Sequence, residues 1–360
     1  MLLYLKLWYL QSVPQLNVLN YITFRTFMAV FTGFILSLIV YPRFIAYLKR
    51  IKLEQAIRTD GPQAHLAKAG TPAMGGVVIL LSVLVNILLW TDFLKNFWVQ
   101  AMTLLIVLFG IIGYLDDWLK VSKKNPNGLA SRWKFLLQVV FATAFMLLLY
   151  YHKGFDPTLV VPIFKQLTFD IGWGYIPFGV LVIVATSNAL NLTDGMDGLA
   201  IVPTMISMVL LMVVVYLVGH AAFANYLHMP LVRGAGELAI IGGATIGAAL
   251  AFLWFNSYPA SIFMGDTGSL ALGAMIGAFT VVTKTELLSL LFNGLFVVEA
   301  LSVILQVAFF KTTGRRIFRM APIHHHFELG GNATEPKLIV RFWILSLLLA
   351  LLSIATIKVR

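Results

Sequence analysis

Residues 199–218 read LAIVPTMISMVLLMVVVYLV, an uninterrupted stretch without a charged side chain. An α-helix rises about 1.5 Å per residue, so roughly 18 apolar residues are enough to cross the hydrocarbon core of a bilayer. Similar runs recur along the 360-residue chain, whose mean hydropathy is +0.90 and whose charged residues make up only 11% of the total. We therefore predict an all-α integral membrane protein rather than a soluble domain.

About ten transmembrane helices are predicted, and they organise residues 1–360 as a single polytopic membrane domain. An even number of spans places both termini on one side of the membrane. The first twenty residues lack a small-residue cleavage site after an apolar run, so we expect no cleaved signal peptide. The predicted spans are 22–42, 73–91, 98–115, 134–151, 174–190, 199–218, 237–255, 269–283, 287–309 and 340–357.

The distribution of Lys and Arg orients these spans. The connections after spans 1, 3, 5, 7 and 9 share one face, called here the odd face, which carries 17 of the 26 basic residues. Because basic connections stay in the cytoplasm, we predict a cytoplasmic odd face and periplasmic termini. On the other face, residues 152–173 could form a small hairpin and residues 220–236 a short surface helix, or both could be plain connectors.

The net charge and the cysteine content restrict the classes of function that the chain can have. In a chain this apolar, a net charge of +11 is typical of contacts with anionic lipid headgroups or an anionic substrate, and we expect no nucleic-acid partner. The absence of cysteine excludes disulfides and thiolate nucleophiles. The sequence has no P-loop, GxSxG element or dinucleotide fingerprint, which argues against ATP-driven transport and serine-triad hydrolysis.

Polar residues concentrate on the predicted odd face. Nine of the 15 acidic residues lie there, against five on the other face and Glu299 within a span. Carboxylates, lysines, asparagines and histidines at one end of a helix bundle indicate a site. Five stretches carry them: 68–76 (KAGTPAMGG), 113–120 (GYLDDWLK), 187–198 (SNALNLTDGMDG), 256–269 (NSYPASIFMGDTGS) and 320–329 (MAPIHHHFEL).

The adjacent carboxylates Asp116 and Asp117 indicate chemistry most clearly. They lie at a predicted helix C-terminus, where the macrodipole is already negative, and they repel each other. A divalent cation would offset this repulsion between negative charges. Two carboxylates with other oxygen ligands suit Mg²⁺, which also binds substrate phosphates. The alternative is a solvated helix end with a salt bridge to Lys120.

Three further aspartates open predicted helices. Asp194 and Asp197 precede span 6 and Asp266 precedes span 8, so each could be a helix cap. Helix N-termini also bind phosphate through free N–H groups, and neighbouring glycines allow a ligand to approach the backbone. Phe263 could stack on a base or face lipid.

The histidine triplet at residues 324–326 follows the basic stretch 311–319. Consecutive residues of a helix point in different directions, and neither HExxH nor Cys/His spacing is present, so a zinc cage is not indicated. A loop of imidazole donors beside cations would suit an anionic, oxygen-rich ligand. Interfacial histidines on a surface helix are the alternative.

Five stretches of the chain resemble one family, the bacterial phospho-N-acetylmuramoyl-pentapeptide transferases, and they occur in the order that this family has. The resemblance runs from about residue 57 to residue 328 and, with the hydropathy, covers essentially the whole chain. The APIHHH segment is similar to the MurNAc-pentapeptide branch of the wider polyprenyl-phosphate N-acetylhexosamine-1-phosphate transferase superfamily. The stretches are RTDGPQAHLAKAGTPAMGG, GYLDDW, NALNLTDGMDGLA, FLWFNSYPASIFMGDTGSLALG and FRMAPIHHHFE.

The resemblance implies an enzyme of peptidoglycan synthesis in the bacterial cytoplasmic (inner) membrane, surrounded by membrane lipid and forming a homodimer. UDP-MurNAc-pentapeptide and undecaprenyl phosphate would give lipid I and UMP, with Mg²⁺ as cofactor. One alternative is the sister transferase that moves GlcNAc-1-phosphate from UDP-GlcNAc to the same lipid. The other is a metal or anion transporter, whose ionisable residues would lie deep in several spans.

The resemblance also implies roles for individual residues. Asp266 would be catalytic as the Mg²⁺ ligand, and Asp116, Asp117 and His325 would be catalytic too, with Asp117 deprotonating or positioning the lipid phosphate. Direct attack by this phosphate and a covalent aspartyl intermediate are both open, and we favour direct attack. The substrate-binding residues implied are Lys68, Lys120, Lys134, Asn191, Asp194, Gly195, Met196, Asp197, Asn256, Phe263, Ser269, His324 and His326.

Overall fold

The helices lie close to where the hydropathy predicts them. A computed structural model describes residues 14–51, 70–122, 128–164, 167–331 and 333–358, together with Leu2. Short 3₁₀ helices precede α1, α5 and α8 at Pro14–Asn20, Gly172–Gly174 and Ala235–Glu237. The helices are α1 (Ile22–Arg50), α2 (Gly76–Trp90), α3 (Phe97–Ser122), α4 (Ser131–Tyr150), α5 (Tyr175–Thr193), α6 (Ile201–Gly219), α7 (Ala221–Leu227), α8 (Leu238–Asn256), α9 (Gly265–Thr283), α10 (Glu286–Phe292), α11 (Gly294–Thr313), α12 (Ile323–Glu328) and α13 (Glu335–Lys358).

Within the described residues, nine helices are long and apolar enough to cross a membrane. They are α1, α3, α4, α5, α6, α8, α9, α11 and α13, whereas the apolar α2 has only 15 residues. A helix pairs its backbone N–H and C=O groups within its own segment, as a bilayer requires. The chain is thus a multi-pass membrane protein built almost entirely of α-helices, as predicted.

The two connections of the opposite face have secondary structure of their own. Strands β1 (Thr158–Val160) and β2 (Thr168–Asp170) form an antiparallel hairpin in which Thr158 lies opposite Asp170. Helix α7 occupies part of the connection at 220–236. Of the alternatives left open for these two connections, the structure has the hairpin and the short helix rather than plain connectors.

One predicted span is divided in two. The prediction of a continuous helix over 287–309 is wrong, because α10 ends at Phe292 and α11 begins at Gly294. The Asn293 between them accepts a hydrogen bond from Ser207 Oγ on α6 at 2.7 Å. An Asn-Gly pair forms helix poorly, and this buried bond holds the Asn293 side chain against a neighbouring helix.

Helix α9 is the centre of the bundle and carries part of the site at its first turn. It packs against α2, α3, α5 and α6, and every residue from Asp266 to Thr283 is buried. Close packing with α3 depends on Gly113, where an added Cβ would lie 2.2 Å from the Asp266 carbonyl oxygen. Because residues i and i+4 share a helix face, Gly113 brings Asp117 against the start of α9.

Candidate active site

The polar stretches of the predicted odd face come together at one end of the bundle. Gly75 N–H donates to the Phe263 carbonyl at 2.8 Å, which joins the first stretch to the fourth. Asn191 Nδ2 donates to Asp266 Oδ1 at 2.9 Å, which joins the third to the fourth. The second and fifth stretches meet the same group of residues, as described below. The chain therefore builds one site from loops far apart in sequence.

The Asp117 carboxylate caps the N-terminus of α9. Its Oδ1 accepts the backbone N–H of Asp266 at 3.0 Å, and its Oδ2 accepts the N–H of Thr267 at 2.9 Å and the Thr267 hydroxyl at 2.7 Å. The first N–H groups of a helix have no partner within it, and their end of the macrodipole is positive. Gly265 has a φ of +76° here, and a Cβ on it would lie 2.6 Å from Asp117 Oδ2.

Two lysines hold the remaining carboxylates together. Lys120 Nζ lies 2.5 Å from Asp116 Oδ2 and 3.2 Å from Asp266 Oδ2. Lys134, from α4, forms a close ion pair with Asp266 and lies 3.8 Å from Asp116. The second oxygen of Asp116 accepts the backbone N–H of Leu129 at 2.9 Å. The buried negative charges are therefore offset by two ammonium groups on neighbouring helices.

Asn191 and Ser269 complete the surroundings of Asp266. Asn191 Nδ2 donates to both Asp266 Oδ1 and Ser269 Oγ, the latter at 2.8 Å. Ser269 in turn donates to the Gly265 carbonyl at 3.0 Å. One side of the Asp266 carboxylate is thus fixed by an amide and the other by lysines, so that the carboxylate has a defined orientation.

The turn at 194–198 forms the next part of the site. Burial, together with the nearby carboxylates of Asp266, Asp117 and Asp197, raises the pKa of the Asp194 carboxyl to about 8. Asp197 is buried, and its Oδ2 accepts the N–H of Ala260 at 3.0 Å.

Asn256 ties this turn to the fourth stretch. Its side chain accepts the N–H of Gly198 at 2.9 Å and donates to the Ile262 carbonyl at 2.8 Å. Asn256 is itself buried, so both of its bonds are made away from solvent. The backbone of residues 194–198 is therefore held against the segment that leads to Asp266.

The histidine triplet lies on the short helix α12, not in a loop as predicted. His324 is fully buried and its Nδ1 lies 3.0 Å from Glu299 Oε2 on α11. A Cβ on Gly195 would lie 2.4 Å from His324 Nε2, so this ring covers the 194–198 turn. Fixing Nδ1 at a carboxylate orients Nε2, as in other His–carboxylate pairs.

The other two histidines have different partners, as expected for consecutive residues on a helix. His325 Nδ1 lies 2.8 Å from Glu328 Oε2, and His326 Nδ1 accepts the backbone N–H of Arg319 at 3.1 Å. His325 is buried and His326 half-buried. The triplet is on a short helix, as the alternative of a surface helix had it, but the burial of His324 and His325 does not fit interfacial side chains.

Among the described residues, Met196 and Phe263 take no part in the hydrogen bonds made by the aspartates, although both were predicted to bind substrate. Met196 is buried in a small apolar cluster with Leu199 and Phe342. Phe263 is half-buried, and its N–H donates to the Pro72 carbonyl at 2.9 Å. Lys68 lies outside the described residues.

The sequence interpretation of the aspartates as helix caps is wrong. Helix α6 begins at Ile201, after both Asp194 and Asp197, and Asp266 lies in the first turn of α9 without capping it. The cap of α9 comes instead from Asp117 on α3. The alternative of a solvated helix end at Asp116 is also wrong: the salt bridge to Lys120 is present, but Asp116 is buried.

Two residues of the site were not assigned from the sequence. Thr267 donates two hydrogen bonds to Asp117, and nothing in the TGS pattern distinguishes it from an ordinary helix residue. Glu299 orients His324, and its sequence signal was visible, since it is the acidic residue within a predicted span. A buried carboxylate in a membrane helix generally has a functional partner, which here is a histidine from another stretch.

The site can accommodate a metal ion. One oxygen from each of Asp116, Asp117 and Asp266 lies within 4.8 Å of the others, close enough to share a cation. All three ligand atoms would be carboxylate oxygens, the type that Mg²⁺ prefers. The oxygens of Asp117 bind donors that hold the start of α9, whereas Asp116 and Asp266 each pair with lysine ammonium groups, which a cation could replace. Asp266 and Asp116 are therefore better placed as direct ligands.

The chain is similar to known sequences over most of its length. The profile of glycosyl transferase family 4 matches residues 99–284, and signature 1 of phospho-N-acetylmuramoyl-pentapeptide-transferase matches residues 68–80. The chain is 51% identical to the phospho-N-acetylmuramoyl-pentapeptide-transferase of Thermodesulfovibrio yellowstonii, with 97% of each chain covered. It is 50% identical to the one from Pelobacter propionicus over 97% of each chain, and 52% identical to the one from Geobacter sp. over 96%. Since this similarity extends over almost the whole length, the chain belongs to the phospho-N-acetylmuramoyl-pentapeptide-transferase family.

Proposed function

We propose that the protein transfers phospho-MurNAc-pentapeptide from UDP-MurNAc-pentapeptide to undecaprenyl phosphate, giving lipid I and UMP for peptidoglycan synthesis. The observation that carries the proposal is the buried group of Asp116, Asp117 and Asp266 beside Lys120 and Lys134. Family membership supports the substrates. Phosphoryl transfer requires stabilisation of negative charge on phosphate oxygens, and catalysis of this kind depends on positioning and electrostatics.

The reaction exchanges one phosphoanhydride bond for another. An oxygen of the lipid phosphate bonds to the phosphorus that carries the sugar, and the bond from that phosphorus to the bridging oxygen breaks, so that UMP leaves. A bound Mg²⁺ would neutralise charge on the pyrophosphate. Asp266 would hold the ion, with Asp116 beside it, while Lys120 and Lys134 turn from the carboxylates to the phosphates when substrate binds.

Asp117 acts by positioning in this proposal. Its two oxygens accept three hydrogen bonds from the start of α9, so most of the lone-pair sites of this carboxylate are occupied by donors that hold α9 in place. This supports direct attack by the lipid phosphate over a covalent intermediate on Asp117. It also replaces the expectation that Asp117 deprotonates the lipid phosphate with a role in holding Asp266 in place.

Substrate recognition is assigned around these charges. We place the uridine among Lys68, Gly195, Met196, Asp197 and Phe263, with Phe263 stacking on the base. Asn191, Asp194, Asn256 and Ser269 would support the sugar-phosphate region. His324, His325 and His326 would contact the sugar-peptide side, with His325 the catalytic member.

The membrane setting follows from the charge distribution. We propose about ten membrane crossings, periplasmic termini, and a site on the cytoplasmic face of the bacterial inner membrane, where a nucleotide substrate and a lipid phosphate can meet. The protein acts as a homodimer in this proposal.

A transfer assay tests the function. Purified protein in detergent is supplied with undecaprenyl phosphate and either UDP-MurNAc-pentapeptide or UDP-GlcNAc, labelled on the sugar. We expect label in lipid only from the first donor, and its loss with EDTA and recovery with Mg²⁺. Transfer only from UDP-GlcNAc would show the sister activity, and no transfer by folded protein would favour a transporter. A chain with Asp92→Asn, a change on the opposite face, serves as the matched control for Asp266→Asn.

A further inference from the structure

A cavity lined partly by polar residues lies at the C-terminal end of α9, whereas the acidic cluster lies at the N-terminal end. The helix has 19 residues, so its ends are about 28 Å apart and this cavity is separate from the acidic cluster. Eight of its thirteen lining residues are apolar, including Val160, Ile163 and Leu288. The polar ones are Thr283, Lys284, Thr285, Thr356 and His228.

Lys284 is the unusual group in this cavity. Its side chain is only 5% exposed, and Nζ has no hydrogen-bond partner within the described part of the chain. Nζ lies 3.8 Å from the ring centre of Phe155 and 3.9 Å from that of Tyr175. Burial lowers the pKa of Lys284 to about 7. The aromatic rings stabilise the cation but leave its three N–H donors unpaired.

Structural roles do not account for this lysine. The helix dipole stabilises a positive charge at the C-terminus of α9, but an exposed lysine at this position would be stabilised in the same way. The neighbouring Glu286 is hydrogen-bonded to the Tyr175 hydroxyl, and burial raises the pKa of Glu286 well above its usual range. The acidic residue whose charge acts on the pKa of Lys284 is Asp156, which is exposed and makes no salt bridge with Lys284 among the described residues. A buried cation without an anionic partner is costly.

The surroundings of the cavity are those of a membrane surface. The hairpin that borders it exposes Phe164 and Phe169, which are 67% and 49% accessible. Tyr151 and Trp173 next to the hairpin are 69% and 61% accessible. Exposed aromatic rings of this kind are typical of the level where lipid headgroups meet the acyl chains. The cavity therefore opens where lipid phosphates are the commonest anions.

We propose that this cavity binds the phosphate group of a membrane phospholipid, with Lys284 as the cation and the Thr285 hydroxyl as a further donor. The apolar lining would contact the first part of the acyl chains. Lysine binds phosphate as a point charge. The Thr283 hydroxyl donates to the Phe279 carbonyl at 2.8 Å, whereas the Thr285 hydroxyl, 2.7 Å from that of Thr283, can turn its proton towards the phosphate. Neither the transfer reaction nor the acidic cluster is required for this binding.

Native mass spectrometry of the full chain in detergent tests the proposal, with dioleoyl phosphatidic acid as the probe. We expect one tight site in the wild type and at least tenfold weaker binding in Lys284→Met. Lys153→Met removes an exposed lysine of the same face and should change the affinity by less than twofold. Equal affinity in wild type and Lys284→Met, or equal losses in both variants, would overturn the proposal.

Three further arms identify the ligand and the location. Dioleoylglycerol, which lacks the phosphate, should not compete, and inorganic phosphate should compete only at concentrations far above those of the lipid; effective competition by either overturns the assignment to a phospholipid. Binding lost in Lys134→Met but kept in Lys284→Met would move the site to the acidic cluster. Should Lys284→Met fold poorly, Thr356→Asp, which adds a carboxylate to the cavity wall, should weaken binding by a similar factor, and unchanged affinity there contradicts the proposal.

Discussion

Replacing Asp117 with asparagine separates positioning from direct chemistry. The carboxylate accepts two backbone N–H groups and one hydroxyl from residues 266 and 267, at 2.7–3.0 Å. An asparagine side chain has a single acceptor oxygen, and its NH₂ group would face one of these donors. The start of α9 would then keep at most part of its cap and would lose the negative charge at its positive end.

The expected loss of folding free energy can be worked out from these contacts. A hydrogen bond to a charged group contributes about 1.5–3 kcal/mol, and a buried donor left without a partner costs about 1–3 kcal/mol. Loss of the charge at a partly buried helix terminus adds up to about 2 kcal/mol. Asp117→Asn should therefore destabilise the fold by about 3–5 kcal/mol. Asp266→Asn should change stability by about 1 kcal/mol, because Lys120 and Lys134 still lie within 4 Å of Asp116.

Thermal unfolding in detergent, followed by tryptophan fluorescence, measures the difference, and the transfer assay is run on the same samples. We expect both variants to lose transfer, but only Asp117→Asn to lower Tm, by roughly 5–15 °C. An Asp117→Asn protein with the wild-type Tm and no transfer would refute the positioning argument. It would show that Asp117 acts on the substrate itself.

Three further changes test separate contacts. Gly113→Ala places a Cβ 2.2 Å from the Asp266 carbonyl oxygen and should lower stability by about 3 kcal/mol or more, whereas Gly174→Ala, whose Cβ would meet only Ile171 at 3.9 Å, should be nearly neutral in thermal unfolding. Glu299→Gln should reduce transfer about tenfold, and in a double-mutant cycle with His324→Ala the two losses should be less than additive; full additivity would contradict their coupling. The pKa of Lys284 is lowered to about 7, so the unfolded chain binds more protons between pH 7 and about 10, and wild-type stability should rise over that range. Lys284→Met should remove this rise in Tm, and an identical pH dependence in the variant would show that another group is responsible.

Hydropathy predicted the helices well because the bilayer imposes a simple requirement. A segment that crosses it must be apolar and helical, and the ten predicted segments all contain helices. The break at Asn293 was missed because the run on both sides is apolar, so the hydropathy does not change there. The Asn-Gly pair is a turn signal, but its effect depends on Ser207, which no local pattern places nearby.

The membership of the site was largely predictable, whereas the roles of its residues were not. Asp116, Lys120, Lys134, Asn191 and Asp266 do meet, as the resemblance implied. Whether Asp116 or Asp117 caps α9 depends on how α3 approaches α9. That approach is set by glycines at the contact between the two helices, which are far apart in sequence. The same limit applies to Glu299, whose partner His324 is brought to it by the fold.

The position of α9 explains how several carboxylates can be buried together. At the C-terminal half of α3 the carboxylates Asp116 and Asp117 repel each other and the local dipole, which predicts an unfavourable pair. Asp117, however, lies at the N-terminus of the buried α9, where the dipole is positive and poorly screened, and Asp116 lies against Lys120. The two adjacent aspartates are thus divided between a helix end and an ammonium group. This leaves Asp266, which the lysines can release, as the carboxylate of the three most readily available to a metal ion.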